Sequence, residues 1–429
     1  MTLETAKKFK SAQWRFIFCS MIAYAFFYVT RKNLSMAQPG MLEEKVISTY
    51  ALGTIMTVHG VLYGLSRFVN GFWADRLNGR IFMTIGLALS ALMNFLFGCS
   101  SLTILFAAFW ILNGWTQGMG FPPCAKMLTH WIHPKELATK MSIWNTSHSW
   151  GAFGALGLCT LLFWLGFGWR WCFYVPAALA GLAAVFCFFC VKDSPTEAGV
   201  PELEIEGAAS KPSSQITTAD RRRLVFGNKV IWMLATANFF VYIVRFGFLD
   251  WGPTFLKQYK GIPVEKGGLM IIAFELAAVV GTIFAGWFTD KVFKGRGART
   301  CVICMLFTAI FAFGFWYLPD GASSIWATLL LMGTGFFIYG PQALLGVATT
   351  QQATPRAAGV AGGFVGIFSY ASTILSGIGF GFVAQHWGWN AAYATILAAA
   401  ITGGGVLMLM WRDVEISAGT AKEQIHETK

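Results

Sequence analysis

Twelve apolar runs, each close to the length that crosses a bilayer, occupy most of this 429-residue chain. They fall near residues 14–37, 51–74, 81–99, 103–126, 139–165 and 171–191, then near 230–256, 268–289, 300–318, 324–350, 357–385 and 390–411. A hydrocarbon core takes about 20 apolar residues wound as a helix. Backbone polar groups in lipid must be paired within the structure that spans it. The expected fold class is therefore an all-α polytopic membrane protein with twelve transmembrane helices in two sets of six. Composition agrees: 56% of residues are hydrophobic and 12% charged, against roughly 25% charged in soluble domains.

The formal charge of +12 does not point to nucleic acid, because the basic residues sit in short segments between apolar runs. That is the pattern of cytoplasmic loops. Lys7, Lys8 and Lys10, Arg76 and Arg80, Lys135 and Lys140 lie on one side, as do Lys291, Lys294, Arg296, Arg299, Arg356 and Arg412. The opposite loops hold few, with Lys45, Arg170, Lys257, Lys260 and Lys266 as the main exceptions. Both termini are expected in the cytoplasm. The polar, basic start is followed by an apolar run too long for a signal-peptide core, so the first helix is expected to be retained.

Between the two sets lies the one long polar stretch. It holds Asp193-Ser194-Pro195-Thr196-Glu197 and, later, Arg221-Arg222-Arg223. The expected organisation is a six-helix bundle over 1–191, a cytoplasmic linker over 192–227 and a second bundle over 228–429. No segment outside the spans is large enough for a catalytic domain, so an enzyme is not expected. Cys187-x-x-Cys190 and Cys301-x-x-Cys304 match a redox or metal spacing, yet both lie in spans with no His, Asp or Glu cluster nearby. They read as packing residues. His130 and His133 form a loop pair with no third ligand. No metal and no cofactor are expected.

The two halves repeat. Gly71-Phe72-Trp73-Ala74-Asp75-Arg76-Leu77-Asn78-Gly79-Arg80 follows the second span, and Gly286-Trp287-Phe288-Thr289-Asp290-Lys291 through Arg296 follows the eighth. Asp75 follows Arg31 by 44 residues (75 − 31), and Asp290 follows Arg245 by 45 (290 − 245). Parallel six-helix halves of this kind describe a major-facilitator fold. Gly-x-x-x-Asp-Arg-x-x-Gly-Arg resembles that superfamily's loop signature. Gly71 is expected to let helices approach closely, and the turn glycine Gly79 to permit positive φ. Asp75, with Arg76 and Arg80, is expected to form a conformational latch, mirrored by Asp290, Lys291 and Arg296.

Inside the spans, Arg31 and Arg245 hold matching places, each with a tyrosine three residues before it. A charge at bilayer depth costs about 2.5–3.5 kcal/mol on insertion scales, so a matched pair points to an anion site. Tyr28 and Tyr24 share a helix face with Arg31, and Tyr242 and Asn238 repeat that geometry around Arg245. A guanidinium binds oxyanions through paired donors, and two of them match a phosphate monoester dianion. The two arginines are expected to converge across a central cavity, and exchange of one phosphate compound for another follows. His148 offers a further donor. Arg67 and Glu275 are secondary candidates, and Gln117 and Trp144 are candidate cavity walls.

Tyr28 to Asn33, Gln117 to Cys124, Ile143 to His148, Val241 to Trp251 and Tyr339 to Gln342 together resemble the organophosphate:phosphate antiporter family. The likeness runs from about residue 14 to 410. It implies phosphate binding at Arg31 and Arg245, a matched histidine at His148, exchange for inorganic phosphate by alternating access, and residence in a bacterial inner membrane. Arg67 stands where the family often has lysine, and Ser149-Trp150-Gly151-Ala152 is less glycine-rich than usual. Ser369, Tyr370, Ser372, Thr373 and Ser376 in the eleventh span suit an uncharged, hydroxylated body without separating a polyol from a hexose. Lys126 to Trp131 and Asn145 to His148 resemble the hexose-phosphate branch, which places hexose phosphate ahead of glycerol 3-phosphate. Expected partners are that substrate, inorganic phosphate and membrane lipid, for a monomer. The alternatives are a hexose-phosphate sensor working with a histidine kinase, and a major-facilitator carrier for another organic anion or a drug-like compound.

Overall fold

In a computed structural model of the chain, residues 3–132, 140, 143–201, 225–293, 296–319, 323–352 and 354–411 are described. Among them the regular structure is helical throughout. Two compact units emerge, Met1–Ala51 with Ile55–Lys211, and Leu52–Thr54 with Pro212–Lys429.

The first unit holds α1 (Leu3–Glu43), α2 (Thr49–Arg76), α3 (Gly79–Cys99), α4 (Thr103–Gln117), α5 (Phe121–Trp131), α6 (Ser147–Trp164) and α7 (Trp171–Cys190). Short polar side chains start two of them: Ser48 accepts from the Ala51 amide and Asn78 from the Ile81 amide, supplying donors that a helix start otherwise leaves unpaired. The expected single span over 103–126 is broken. Gly118-Met119-Gly120 interrupts it, and Pro122 and Pro123 restart the chain as α5, where a missing proline N–H costs nothing. This carries α5 on to Trp131, so His130 lies in its last turn and not in a loop; His133 lies outside the described residues.

The second unit holds α8 (Lys229–Gln258), α9 (Val264–Val292), α10 (Gly297–Tyr317), α11 (Ser324–Gln352), α12 (Thr354–Thr373) and α13 (Phe380–Leu409). A π-helical turn, Ile374–Gly379, joins α12 to α13. Gly388, with φ 80° and ψ 175°, breaks α13 where the last two spans were expected to part, a left-handed φ that glycine adopts without a Cβ clash.

Among the described residues, eight stretches are long and apolar enough to cross a membrane by length and composition. One of these, Ala361–Leu409, covers both of the last two expected spans. Neither α2, which carries Arg67, nor α6, which starts Ser147-His148-Ser149, is among the eight. In both, polar groups of the candidate site dilute the apolar signal.

Each core is aromatic and close-packed. Phe16 stacks on Trp131 at 5.1 Å in the first unit, and Phe255 lies 4.0 Å from Tyr393 in the second. All nine cysteines are free, and Cys187, Cys301 and Cys304 are buried packing groups.

Candidate functional site

In the first unit, a tight helix contact brings the site residues together. A side chain at Gly151 on α6 would strike the Ala25 carbonyl and lie 2.7 Å from the Tyr28 Cβ on α1. Glycine at 151 therefore brings α6 onto α1 beside the candidate site, and the His148 ring stands 5.6 Å from that of Tyr28. The Arg31 guanidinium carbon lies 5.5 Å from the Tyr28 ring and 4.2 Å from the ring of Tyr63 on α2. Tyr24 touches Tyr28 at 5.8 Å and Trp144 at 4.8 Å. Arg67 lies 4.0 Å over the Phe121 ring, which itself meets Tyr24 at 6.3 Å and Trp144 at 6.0 Å. These contacts link two guanidiniums, an imidazole and their aromatic neighbours into one cluster. Tyrosine faces suit arginine because the ring quadrupole attracts a cation without neutralising it.

The His148 Nδ1 is bonded to the Asn145 carbonyl. A carbonyl only accepts, so Nδ1 carries the hydrogen and Nε2 is left to act as acceptor, or as donor when the ring is charged. Ser149 Oγ lies 3.4 Å from that Nε2.

Behind Arg31 lies a buried polar network. The Thr30 carbonyl accepts from Asn94 and Asn113, each at 3.0 Å. Ser90 donates to Asn113 at 2.6 Å, and Asn33 donates to Asn94 at 2.8 Å. Gln117 completes it, donating to Thr30 Oγ1 at 3.1 Å and Ser90 Oγ at 2.9 Å. Its amide is thus committed to holding α1, α3 and α4 together. Trp144 is fully buried, with its indole N–H on Ser20 at 3.0 Å. Gln117 and Trp144 back the cluster; their polar groups are already bonded inside the unit.

The second unit repeats the pattern with one addition. The Arg245 guanidinium carbon lies 5.6 Å from Tyr242 and 4.8 Å from Tyr339 on α11. Tyr339 donates its hydroxyl to the buried carboxylate of Glu275 at 2.6 Å, and both Tyr339 and Glu275 are electrostatic neighbours of Arg245. Side chains at Gly281 and Gly335 would strike the Phe336 and Phe274 carbonyls. That closeness of α9 and α11 delivers Glu275 to Tyr339. The Arg245 Nε is shielded from solvent and makes no hydrogen bond among the described residues. A buried donor without an acceptor is costly, and a ligand oxygen would satisfy it.

Asn238, the positional counterpart of Tyr24, sends its amide to Ser369 Oγ at 2.5 Å. Ser372 bonds the Ser369 carbonyl at 2.6 Å and Thr373 the Tyr370 carbonyl at 2.6 Å. Of the expected sugar-reading groups, Ser369, Ser372 and Ser376 are buried within the helix packing. Tyr370 and Thr373 are partly exposed.

The loop signature is only partly described, because the side chains of Asp75 and Asp290 lie outside the described residues. Among the described residues a Cβ at Gly71 would meet nothing within 4 Å, so the expected close approach is not seen there. It occurs at Gly79 instead, where a Cβ would lie 2.8 Å from Asp193 Oδ1. Gly79 has an ordinary negative φ, against the expectation of a left-handed turn. Its amide donates to Asp193 at 2.6 Å, and Arg80 pairs with Glu197 at 2.8 Å. Arg76 and Lys291 are exposed, and Arg296 half-buried. Sequence reasoning placed Asp193 and Glu197 in a linker and missed this role. Tyr63, four residues before Arg67, and Tyr339, named only within the family-like segment, were not among the expected site residues.

Residues 20–377 match the Major Facilitator Superfamily. The chain is 36% identical to the glycerol-3-phosphate transporter of Bacillus subtilis, over 91% of this chain and 90% of that protein. It is 35% identical to a probable hexose phosphate transport protein of Chlamydia pneumoniae, over 95% and 93%. Against the membrane sensor protein UhpC of Escherichia coli the figures are 32%, 91% and 89%. A solved inward-facing bacterial homolog of the human lysosomal transporter Spinster superposes with a TM-score of 0.80 at 14% identity, covering 94% of this chain and 97% of that one, a likeness of fold. With the duplicated Tyr-x-x-Arg pattern and the matching architecture, the chain belongs to the organophosphate:phosphate antiporter family of the Major Facilitator Superfamily.

Proposed function

We propose that this protein is a secondary transporter exchanging a sugar phosphate, hexose 6-phosphate ahead of glycerol 3-phosphate, for inorganic phosphate by alternating access. The observation that carries the reading is the repeated guanidinium between two tyrosines, Arg31 in one unit and Arg245 in the other. Each guanidinium offers paired donors that fit phosphoryl oxygens, and two such charges balance a dianion. Glu275 changes the accounting in the second unit. Through Tyr339 it offsets Arg245 while the ligand is away, which lowers the cost of a half-buried cation. A ligand oxygen then competes with Glu275 for Arg245.

In this reading His148 adds a donor, and Arg67 supplies further positive potential in the first unit. The uncharged body of the substrate meets Tyr370 and Thr373. The protein lies in a bacterial inner membrane with both termini cytoplasmic, works as a monomer of two bundles, and uses the loop segments around Asp75 and Asp290 as latches.

The test is purified protein in liposomes preloaded with phosphate. Uptake of labelled phosphate that needs internal phosphate, and that hexose 6-phosphate inhibits, supports exchange. A double-mutant cycle probes shared ligation: Arg31→Lys and Arg245→Lys together should cost little more than either alone. Similarity to UhpC favours one second reading, a sensor. Saturable sugar-phosphate binding with no counterflow in the same liposomes selects it.

A further inference from the structure

We propose that a cavity in the first unit, whose lining includes none of the arginine-cluster residues and which is built from the start of α1 and the segment after α7, binds the phosphodiester headgroup of an anionic lipid. Its volume is about 490 Å³, a size that admits a whole headgroup and not only an ion. Lys8 and Arg15 line it from α1 and Lys192 from the end of α7, with Trp131 and Phe16 behind them. The rim is held in place: the Trp131 indole N–H donates to the Lys192 carbonyl at 3.0 Å, and Phe16 stacks on Trp131.

The charge balance favours an anion. Glu197 is the acid in the lining, and it is already committed to Arg80 at 2.8 Å and to the Asp193 amide at 2.7 Å. Lys8 has a partner in Glu4, but that pair is exposed and weak. Among the described residues no acid pairs with Arg15 or Lys192, so their charge faces the cavity.

The surroundings favour a lipid over a soluble phosphate compound. Phe18 and Ile22, three and seven residues beyond Arg15 on the same helix face, are 53% and 48% exposed. On α7, Phe189 beside Cys190 is 66% exposed. An acyl chain attached to a headgroup in the cavity would lie along this apolar surface. Basic pockets among transmembrane helices hold acidic headgroups in this way.

Native mass spectrometry of the full chain in detergent tests the proposal, with cardiolipin, phosphatidylglycerol and phosphatidylcholine supplied at equal concentration. The wild type should keep the anionic lipids selectively. R15Q/K192Q should weaken their retention roughly tenfold or more, and R15K/K192R should restore it. The single variants R15Q and K192Q serve if the double variant does not insert. Retention of phosphatidylcholine to the same extent, or unchanged anionic-lipid retention in the Gln variants, overturns the proposal. Displacement of the lipid by millimolar glycerol 3-phosphate would assign the cavity to soluble phosphate compounds and overturn the lipid source. Because Arg15 and Lys192 are not part of the arginine clusters, phosphate exchange by these variants in uncharged-lipid vesicles reports separately on the transport reading.

Discussion

The two half-sites share a cation and its aromatic frame but differ in electrostatics. In each, an arginine lies about 5.5 Å from the tyrosine one helical turn before it and closer to a second tyrosine from another helix. That second tyrosine comes from α2 in the first unit and from α11 in the second. The spans of the first half contain no Asp or Glu, whereas those of the second contain Asp250 and Glu275. The first half-site is thus a cluster of Arg31, Arg67 and His148, and the second is an arginine with a carboxylate one phenol away. Duplication preserved the arginine–tyrosine geometry while the charge balance diverged. In the proposed cycle the first unit attracts the phosphoryl group, and the second exchanges an internal anion for an external one.

The largest expected effect tests what the two halves share. Arg31→Lys and Arg245→Lys should each reduce phosphate exchange by about 30-fold, since lysine keeps the charge but loses the paired donors, and a hydrogen bond to a charged group is worth about 1.5–3 kcal/mol. Full exchange in either variant breaks the equivalence. His148→Gln should cost roughly tenfold in phosphate affinity, about the worth of one hydrogen bond to a charged group, and should change the shape of the pH profile of exchange. Binding and exchange assays across pH separate these effects, and an identical profile removes the titrating role.

Glu275→Gln sharpens the difference between halves. Removing the carboxylate charge while keeping an acceptor for Tyr339 should tighten phosphate binding roughly fivefold, as expected for a nearby charge in a partly screened site, and slow turnover. Weaker binding would count against competition between Glu275 and the ligand. The smallest effect on binding is expected from Asn238→Ala and Gln117→Ala. Each removes buried hydrogen bonds worth about 1–3 kcal/mol to stability, so unfolding temperature in detergent should fall while phosphate affinity stays close to wild type. A selective loss of affinity would return either amide to the ligand.

Particular residues show why some of this was legible beforehand. Arg31 and Arg245 could be found because a charge in an apolar run is expensive, and Tyr28 and Tyr242 because helical spacing alone places them beside it. Tyr63 and Tyr339 reach the same guanidiniums from other helices, and no local spacing reports such a contact. Asn238 occupied the right helix face, but its neighbour Ser369 is 131 residues away. Asp193 looked like the start of a polar linker until its carboxylate appeared on the Gly79 amide.

The sequence by itself determined the class of fold, the twofold repeat and the identity of the half-buried cations, because each rests on burial cost and helical period, which are local. Tertiary structure decided which aromatic rings frame each arginine, which amides are already committed to packing, and that Tyr339 joins Glu275 to Arg245. Those outcomes depend on glycine-mediated contacts such as Gly151 against Ala25 and Gly281 against Phe336. Contacts of that kind join residues far apart in the chain and leave no period to read.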